Sequence, residues 1–225
     1  MIDHAMLTGQ STGHLIDIGS GHRLQPEAAR AFSALQTAAS QAGFNLQPAS
    51  TFRDFARQLA IWNGKFHGER PVLDSDSRPV DISQLDDGER GELILRWSAL
   101  PGASRHHWGS ELDIYAPDLL PEGAKLQLEP WEYEEGGYFF PLTQWLTQNM
   151  ASFGFYRPFS EDTGGVAVEP WHLSYRPLAQ ECEKLLTPQV LQQAWQGQNL
   201  GGHAWVLSEL ERIFAQYVQT SKSSQ

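Results

Sequence analysis

One cysteine, Cys182, stands in a chain of 225 residues. No intramolecular disulfide can form, and a zinc site built from cysteines is excluded. Glu181 and Glu183 flank the thiol and would raise its pKa, which argues against a nucleophile; a plain core or surface thiol is expected. Positive charge is scarce as well. Lys and Arg number 16 against 27 Asp and Glu, a net charge of −11. With no basic stripe, nucleic acid is not an expected partner, and an anionic substrate has to be met by local cations. Long apolar runs are missing: no stretch approaches the ~20 residues that span a bilayer. Met1 to Gln25 carries neither the basic nor the apolar segment of a secretory signal. These absences lead to the expectation of a cytoplasmic chain without a membrane span.

Apolar and aromatic material is plentiful: 40% of the residues are hydrophobic and 11% aromatic, with eight Trp. A sizeable core is therefore expected. Pro26 to Ala42 has the spacing of a helix, with Pro26 and Glu27 in its first turn, Phe32, Leu35 and Ala39 on one stripe, and Gly43 as the stop. Phe44 to Ala49 alternates weakly, and Pro48 places it near a sheet edge or a strand end. Helices are expected over Asp54 to Phe66, Glu89 to Leu100 and Leu142 to Phe153. Gly202 to Val218 reads as one amphipathic helix with Val206, Leu210, Ile213, Phe214 and Tyr217 on its stripe. Short strands are expected at Glu111 to Tyr115 and Trp171 to Tyr175, and long loops at Gly68 to Asp87 and Ala116 to Gly137. Helices and strands do not alternate regularly, so the fold class expected is α+β. No linker divides the chain, so one domain is expected, with a core over 24–175 and a helical extension over 176–225.

The most informative run is Ser104-Arg105-His106-His107-Trp108-Gly109-Ser110-Glu111-Leu112-Asp113, answered by Glu169-Pro170-Trp171-His172. Imidazoles plus a carboxylate, with one coordination position left open, is the layout of a catalytic zinc site. A further Glu offers a base for water. A His and an Asp seven apart cannot share one helical face, where three or four is required. They suit a loop leading into a strand, with Gly109 allowing the turn between them. Asp113 then points away from the apolar face of Leu112 and Ile114. Glu169 and His172 lie about 10 Å apart if extended; a bend at Pro170 brings both to one side, with Trp171 packed behind.

Together the two halves resemble the zinc D-Ala-D-Ala peptidase family of VanY-type D,D-carboxypeptidases and VanX-type D,D-dipeptidases, whose pattern is S-x-H-x-x-G-x-A-x-D followed by E-x-W-H. Ser104, His106, Gly109, Asp113, Glu169, Trp171 and His172 match. Glu111 departs, standing where the family usually has Ala, and is expected on the solvent edge of the strand or as a charge beside the site. The resemblance implies one Zn2+ per chain on His106, Asp113 and His172, with Glu169 as catalytic base. The family register selects His106 over its neighbour His107, which is left as a supporting or solvent-facing residue. His4, His14, His22, His67 and His203 have no matching carboxylate spacing and are expected to be structural.

Ser50-Thr51-Phe52-Arg53-Asp54-Phe55 resembles a further element of the family that sits just before a helix. Arg53 is the expected oxyanion partner, since a fixed guanidinium stabilises charge that develops where water is excluded. Gln58, Ser104 and Trp171 are the expected substrate contacts. The resemblance spans roughly Leu24 to Tyr175, and the last 50 residues are expected to pack as helices on the core. It implies a small antiparallel sheet carrying the zinc site and a peptidase that removes the terminal D-Ala of peptidoglycan stem peptides. The alternatives are a D-Ala-D-Ala dipeptidase, an L,D-carboxypeptidase, a muramyl-peptide endopeptidase, or an inactive metal- or peptidoglycan-binding module. Oligomeric state is not legible in the sequence, and a cytoplasmic location sits awkwardly with a cell-wall substrate.

Overall fold

Four short strands make the sheet that carries the chemistry. In the computed structural model, which describes residues 2–219, β3 (Gln47–Ser50), β6 (Glu111–Tyr115), β8 (His172–Tyr175) and β7 (Phe155–Tyr156) pair in that order, all antiparallel. Two separate two-stranded ribbons, β1 (Ile16–Gly19) with β2 (His22–Leu24) and β4 (Val72–Leu73) with β5 (Pro79–Val80), complete the β structure among the described residues. The class is α+β with no closed barrel. Pro48 lies on the edge strand, where a missing N–H is tolerated, and a register shift follows it before Ser50 pairs with Asp113.

Alternation along β6 sets up two opposite environments. Leu112 and Ile114 face a core built with Ala28, Phe32, Leu35 and Ala39 of α2 (Pro26–Gln41) and Leu142 and Leu146 of α6 (Phe140–Asn149). Glu111 and Asp113 face the other way. The antiparallel register pairs Leu112 with Leu173, Asp113 with His172, and Glu111 with Ser174, so the apolar pair sinks into one core and the polar pairs share the opposite face.

A second core lies beyond that polar face. It combines Trp62 and Phe66 of α3 (Phe55–Phe66), Ile94 and Leu95 of α4 (Asp87–Leu95), and a run of C-terminal residues from Ala179 to Phe214. Burying each Leu, Ile, Val or Phe contributes about 1.5–3 kcal/mol, so the C-terminal segment supplies a large share of this core. Two indole N–H groups are satisfied across it: Trp62 donates to Gly201 O at 2.9 Å and Trp195 to Pro101 O at 2.7 Å.

Sequence and structure differ in several places. The expected helix over Gly202 to Val218 is divided into α9 (His203–Ser208), α10 (Leu210–Ile213) and a wider π turn, Phe214–Val218. Ser208 Oγ donates to Trp205 O at 2.8 Å, a local bond that competes with the helix ladder. Val206, Leu210, Ile213 and Phe214 are buried nonetheless. The loop expected over Gly68 to Asp87 contains the β4–β5 ribbon, turned by Asp74, whose carboxylate accepts from the amides of Asp76 and Arg78. The next helix starts at Asp87 rather than Glu89, because Asp86 and Glu89 close a capping box. The loop over Ala116 to Gly137 holds a short helix, α5 (Pro130–Tyr133).

Candidate metal centre

The segment before β6 forms a 3-10 turn, Arg105–Trp108, closed by Gly109 at φ 69°. A side chain at Gly109 would both strain that conformation and stand 2.4 Å from Leu15. The turn drops His106 beside Thr51, whose carbonyl takes the imidazole Nδ1 at 2.8 Å. Nδ1 is therefore the protonated nitrogen, and Nε2 is bare, 3.4 Å from Asp113 Oδ2. Asp113 comes from the middle of β6. His172 opens β8 directly opposite, with Nδ1 3.5 Å from Asp113 Oδ1 and 3.2 Å from Glu169 Oε2. The bend expected at Pro170 is present: His172 N donates to Glu169 O at 3.1 Å.

One donor atom each from His106, Asp113 and His172 fall within 4.8 Å of one another, and all three residues are buried. Ligand atoms on a tetrahedron with bonds of about 2.1 Å stand roughly 3.4 Å apart, close to the 3.4 and 3.5 Å separations here. Asp113 Oδ1 is buried and accepts no hydrogen bond. A buried carboxylate oxygen without a donor is costly, and a cation is the partner that this donor set fits. Titration is consistent with that. Burial disfavours the His172 imidazolium, but hydrogen bonds to Glu111 and Glu169 and the charge of Asp113 outweigh it and raise its pKa to about 10. Burial disfavours the Asp113 carboxylate, yet His106, His172 and Arg53 hold its pKa below the usual range. The cluster thus has surplus negative charge that a proton or a metal ion can neutralise.

His107 is not a ligand and does not face solvent. It is fully buried, donates from Nδ1 to Arg53 O at 2.6 Å and accepts Gly102 N–H at Nε2 at 3.0 Å. Burial pushes its pKa down to about 3, so it stays neutral and holds the backbone of Arg53. The Arg53 amide is tied as well, donating to His106 O at 3.1 Å. The guanidinium enters the cavity and donates from Nη1 to Gln58 Oε1 at 2.9 Å. Burial works against its charge, while Asp113 and Glu169 favour it.

Gln58 differs from the expectation. It is fully buried beneath Arg53 and spends its amide N–H on Ala99 O at 2.7 Å, so both ends are occupied by protein and it stands outside the cavity wall. Glu111 departs further. It is not on a solvent edge but 0% exposed, accepting from Ser110, Ser174, Arg105 and His172. Its neighbour across the sheet is Ser174, and Arg105 hydrogen-bonds to both.

Ser104, Trp171 and Glu169 line a cavity of roughly 340 Å³ around the cluster. Trp171 packs on Tyr133, with ring centres 5.6 Å apart, which closes the site from behind. Phe159 stands edge-on to His172 at 5.1 Å. Sequence reasoning did not place Phe159 at the site, nor Tyr217 and Val218, which reach the same cavity from the C-terminal π turn. Nothing in local pattern marks a lone loop aromatic or a helix-end Tyr as a cavity wall.

Residues 21–178 match the model of the family described as "VanY: D-alanyl-D-alanine carboxypeptidase". The chain belongs to this family. Family and fold together mark it as a peptidase. A protein of Haemophilus influenzae described as uncharacterized is 50% identical over 121 residues, which cover 53% of this chain and 92% of that one. Among solved structures, VanYB in complex with D-Alanine-D-Alanine is similar at a TM-score of 0.53 and 21% identity, covering 89% of this chain and 91% of that chain. A mutant of the D,D-pentapeptidase VanY from a VanB-type resistance cassette, in complex with Zn(II), gives 0.52 at 24% identity, over 76% and 84%. At these identities the two structures establish the fold.

Proposed function

We propose that this VanY-family peptidase is a zinc-dependent D,D-carboxypeptidase that releases the terminal D-Ala from peptides ending in D-Ala-D-Ala. The observation that carries the reading is the convergence of His106 Nε2, Asp113 and His172 Nδ1 around an unpartnered carboxylate oxygen, with Glu169 at its margin and Arg53 facing it. When bound there, zinc would supply Lewis acidity, polarising the scissile carbonyl and lowering the pKa of water.

The chain's own groups account for the rest. Glu169, 3.2 Å from His172 Nδ1, accepts the proton of the attacking water and returns it to the leaving amine. The carbonyl oxygen gains negative charge as the carbonyl carbon becomes tetrahedral, and the guanidinium of Arg53 lies in the same cavity to meet it. Gln58 and the carbonyl-bound His107 hold Arg53 in place. Ser104 offers a neutral hydrogen-bonding group to the peptide, while Trp171 and Phe159 keep the reacting atoms dry.

The test is substrate choice. Release of D-Ala should be fast from an N-acylated tripeptide ending in D-Ala-D-Ala and slow from the free dipeptide. Preference for the free dipeptide would make the chain a dipeptidase; cleavage of neither would remove the assignment.

A further inference from the structure

A carboxylate at the buried start of a central strand is expensive to leave unpaired, and the family pattern places Ala where this chain has Glu111. The structure shows what this carboxylate is paired with. Its two oxygens are divided between two tasks. Oε1 accepts the hydroxyls of Ser110 at 2.9 Å and Ser174 at 2.8 Å. Oε2 accepts Arg105 Nε at 3.2 Å and lies 2.8 Å from His172 Nε2. Glu111 thereby grips β8 at two residues of the same face, His172 and Ser174.

The charge is balanced from behind. Arg105 is 4% exposed, ion-pairs with Glu183 of α7 (Arg176–Leu185), and donates to Tyr156 Oη and Ser174 Oγ, each at 2.8 Å. Its guanidinium also lies over the Trp108 ring at 4.7 Å. A line of paired groups runs from α7 through Arg105 and Glu111 to the imidazole of His172. It begins at Glu183, beyond the 21–178 span matched to the family.

An ionised carboxylate can only accept hydrogen bonds. Glu111 therefore fixes a His172 proton on Nε2; once the proton that Nδ1 donates to Glu169 Oε2 at 3.2 Å is displaced, the Nδ1 lone pair is left facing Asp113. His106 has the opposite tautomer, protonated at Nδ1, fixed by a weaker partner, the carbonyl of Thr51. A carboxylate behind an imidazole makes the ring a stronger electron donor than a carbonyl does.

We propose that Glu111, held ionised by Arg105, is a positioning residue that locks His172 in the tautomer able to bind a metal ion through Nδ1 and strengthens that bond. The proposal rests on the metal-centre reading given above. The test is zinc affinity, measured on metal-stripped protein by competition with a chromophoric chelator, for the wild type, Glu111→Ala and Glu111→Gln. Losing such a partner typically costs 10–100-fold in metal affinity, and that loss is expected for Glu111→Ala. Glu111→Gln should recover most of it, because the amide oxygen can accept from His172 and Arg105 while its NH2 donates to the two serines. A folded Glu111→Ala protein that binds zinc like the wild type would overturn the proposal.

The second measurement needs no variant. Long-range proton–nitrogen NMR of the zinc-loaded wild type should show His172 protonated at Nε2 and bare at Nδ1. The opposite assignment would overturn the proposal even if Glu111→Ala does not fold. A wild type that binds no zinc removes the metal reading together with the proposal. A zinc-binding wild type matched by its Ala variant removes the proposal alone.

Discussion

Asp113 Oδ1 is the residue-scale feature on which the site turns. It is buried between two imidazoles and has no hydrogen-bond donor, a condition that the metal reading explains and a purely structural triad does not. Glu169 has the complementary position, beside the cluster but outside it. Glu169→Gln is expected to lower kcat by about 10²–10⁴-fold while zinc still binds one per chain; near-normal turnover would exclude it as the base. The His172 pKa of about 10 gives a pH prediction with a definite sign. The value lies above the ordinary histidine value of 6.5, so in metal-stripped protein its contribution to stability is complete below about pH 6.5 and is lost as pH rises toward 10. Zinc must displace the same proton, so apparent affinity should rise by about tenfold per pH unit over that interval. Thermal melts of stripped and loaded protein, with chelator competition at about pH 6.5 and 8.5, check both. Most of these residues were legible in the sequence, because His106, Asp113, Glu169 and His172 stand at fixed spacings in two short runs. Of the two placements expected for Glu111, the charge beside the site holds and the solvent edge does not, because strand alternation tells which face a residue takes, not whether water or Arg105 waits on that face.

Secondary-structure elements were legible where one periodicity runs uninterrupted, as in α2 and β6. The pairing of β6 with β8 was not, since no local pattern states that His172 lies opposite Asp113 rather than Glu111; that depends on Leu112 meeting Leu173 in the core. The last helix was read as continuous because its apolar stripe is continuous, whereas Ser208 and the widened turn at Phe214–Val218 alter its backbone. That turn reaches the cavity. It places Tyr217 in the cavity, fixed by a 2.6 Å hydrogen bond to Glu92. Tyr217→Ala should raise KM for the peptide several-fold with kcat nearly unchanged, in steady-state D-Ala release; equal KM values would show that the turn does not touch substrate. The helix α4 is packed as closely: a Cβ at Gly91 would stand 2.0 Å from the Trp205 ring. Gly91→Ala should therefore destabilise by about 1–3 kcal/mol through overpacking, measurable by denaturant unfolding.

At the scale of the whole molecule, the sheet separates two cores, and the metal cluster lies on the face turned toward the second. That core draws on α3, α4 and the C-terminal residues together. We infer that the chain folds as one domain and that 176–219 is part of it rather than an appendage. Deletion after residue 178, where the family match ends, should leave a protein without a cooperative thermal transition. The sequence suggested helices packing on the core here, but it could not show that they bury Trp62 and ion-pair with Arg105, since those partners are distant in the chain. Among the described residues no helix is long and apolar enough to cross a membrane.

The central claim is that His106, Asp113 and His172 hold one zinc ion that Glu169 and Arg53 use to cleave a D-Ala-D-Ala terminus. The most direct measurement is a zinc titration of metal-stripped protein, following D-Ala release from an N-acylated D-Ala-D-Ala peptide. The account predicts activity that rises from near zero, saturates at one zinc per chain, and stays at least about a hundredfold lower at every zinc level in Glu169→Gln. Activity that is unchanged by stripping and restoring zinc would contradict it.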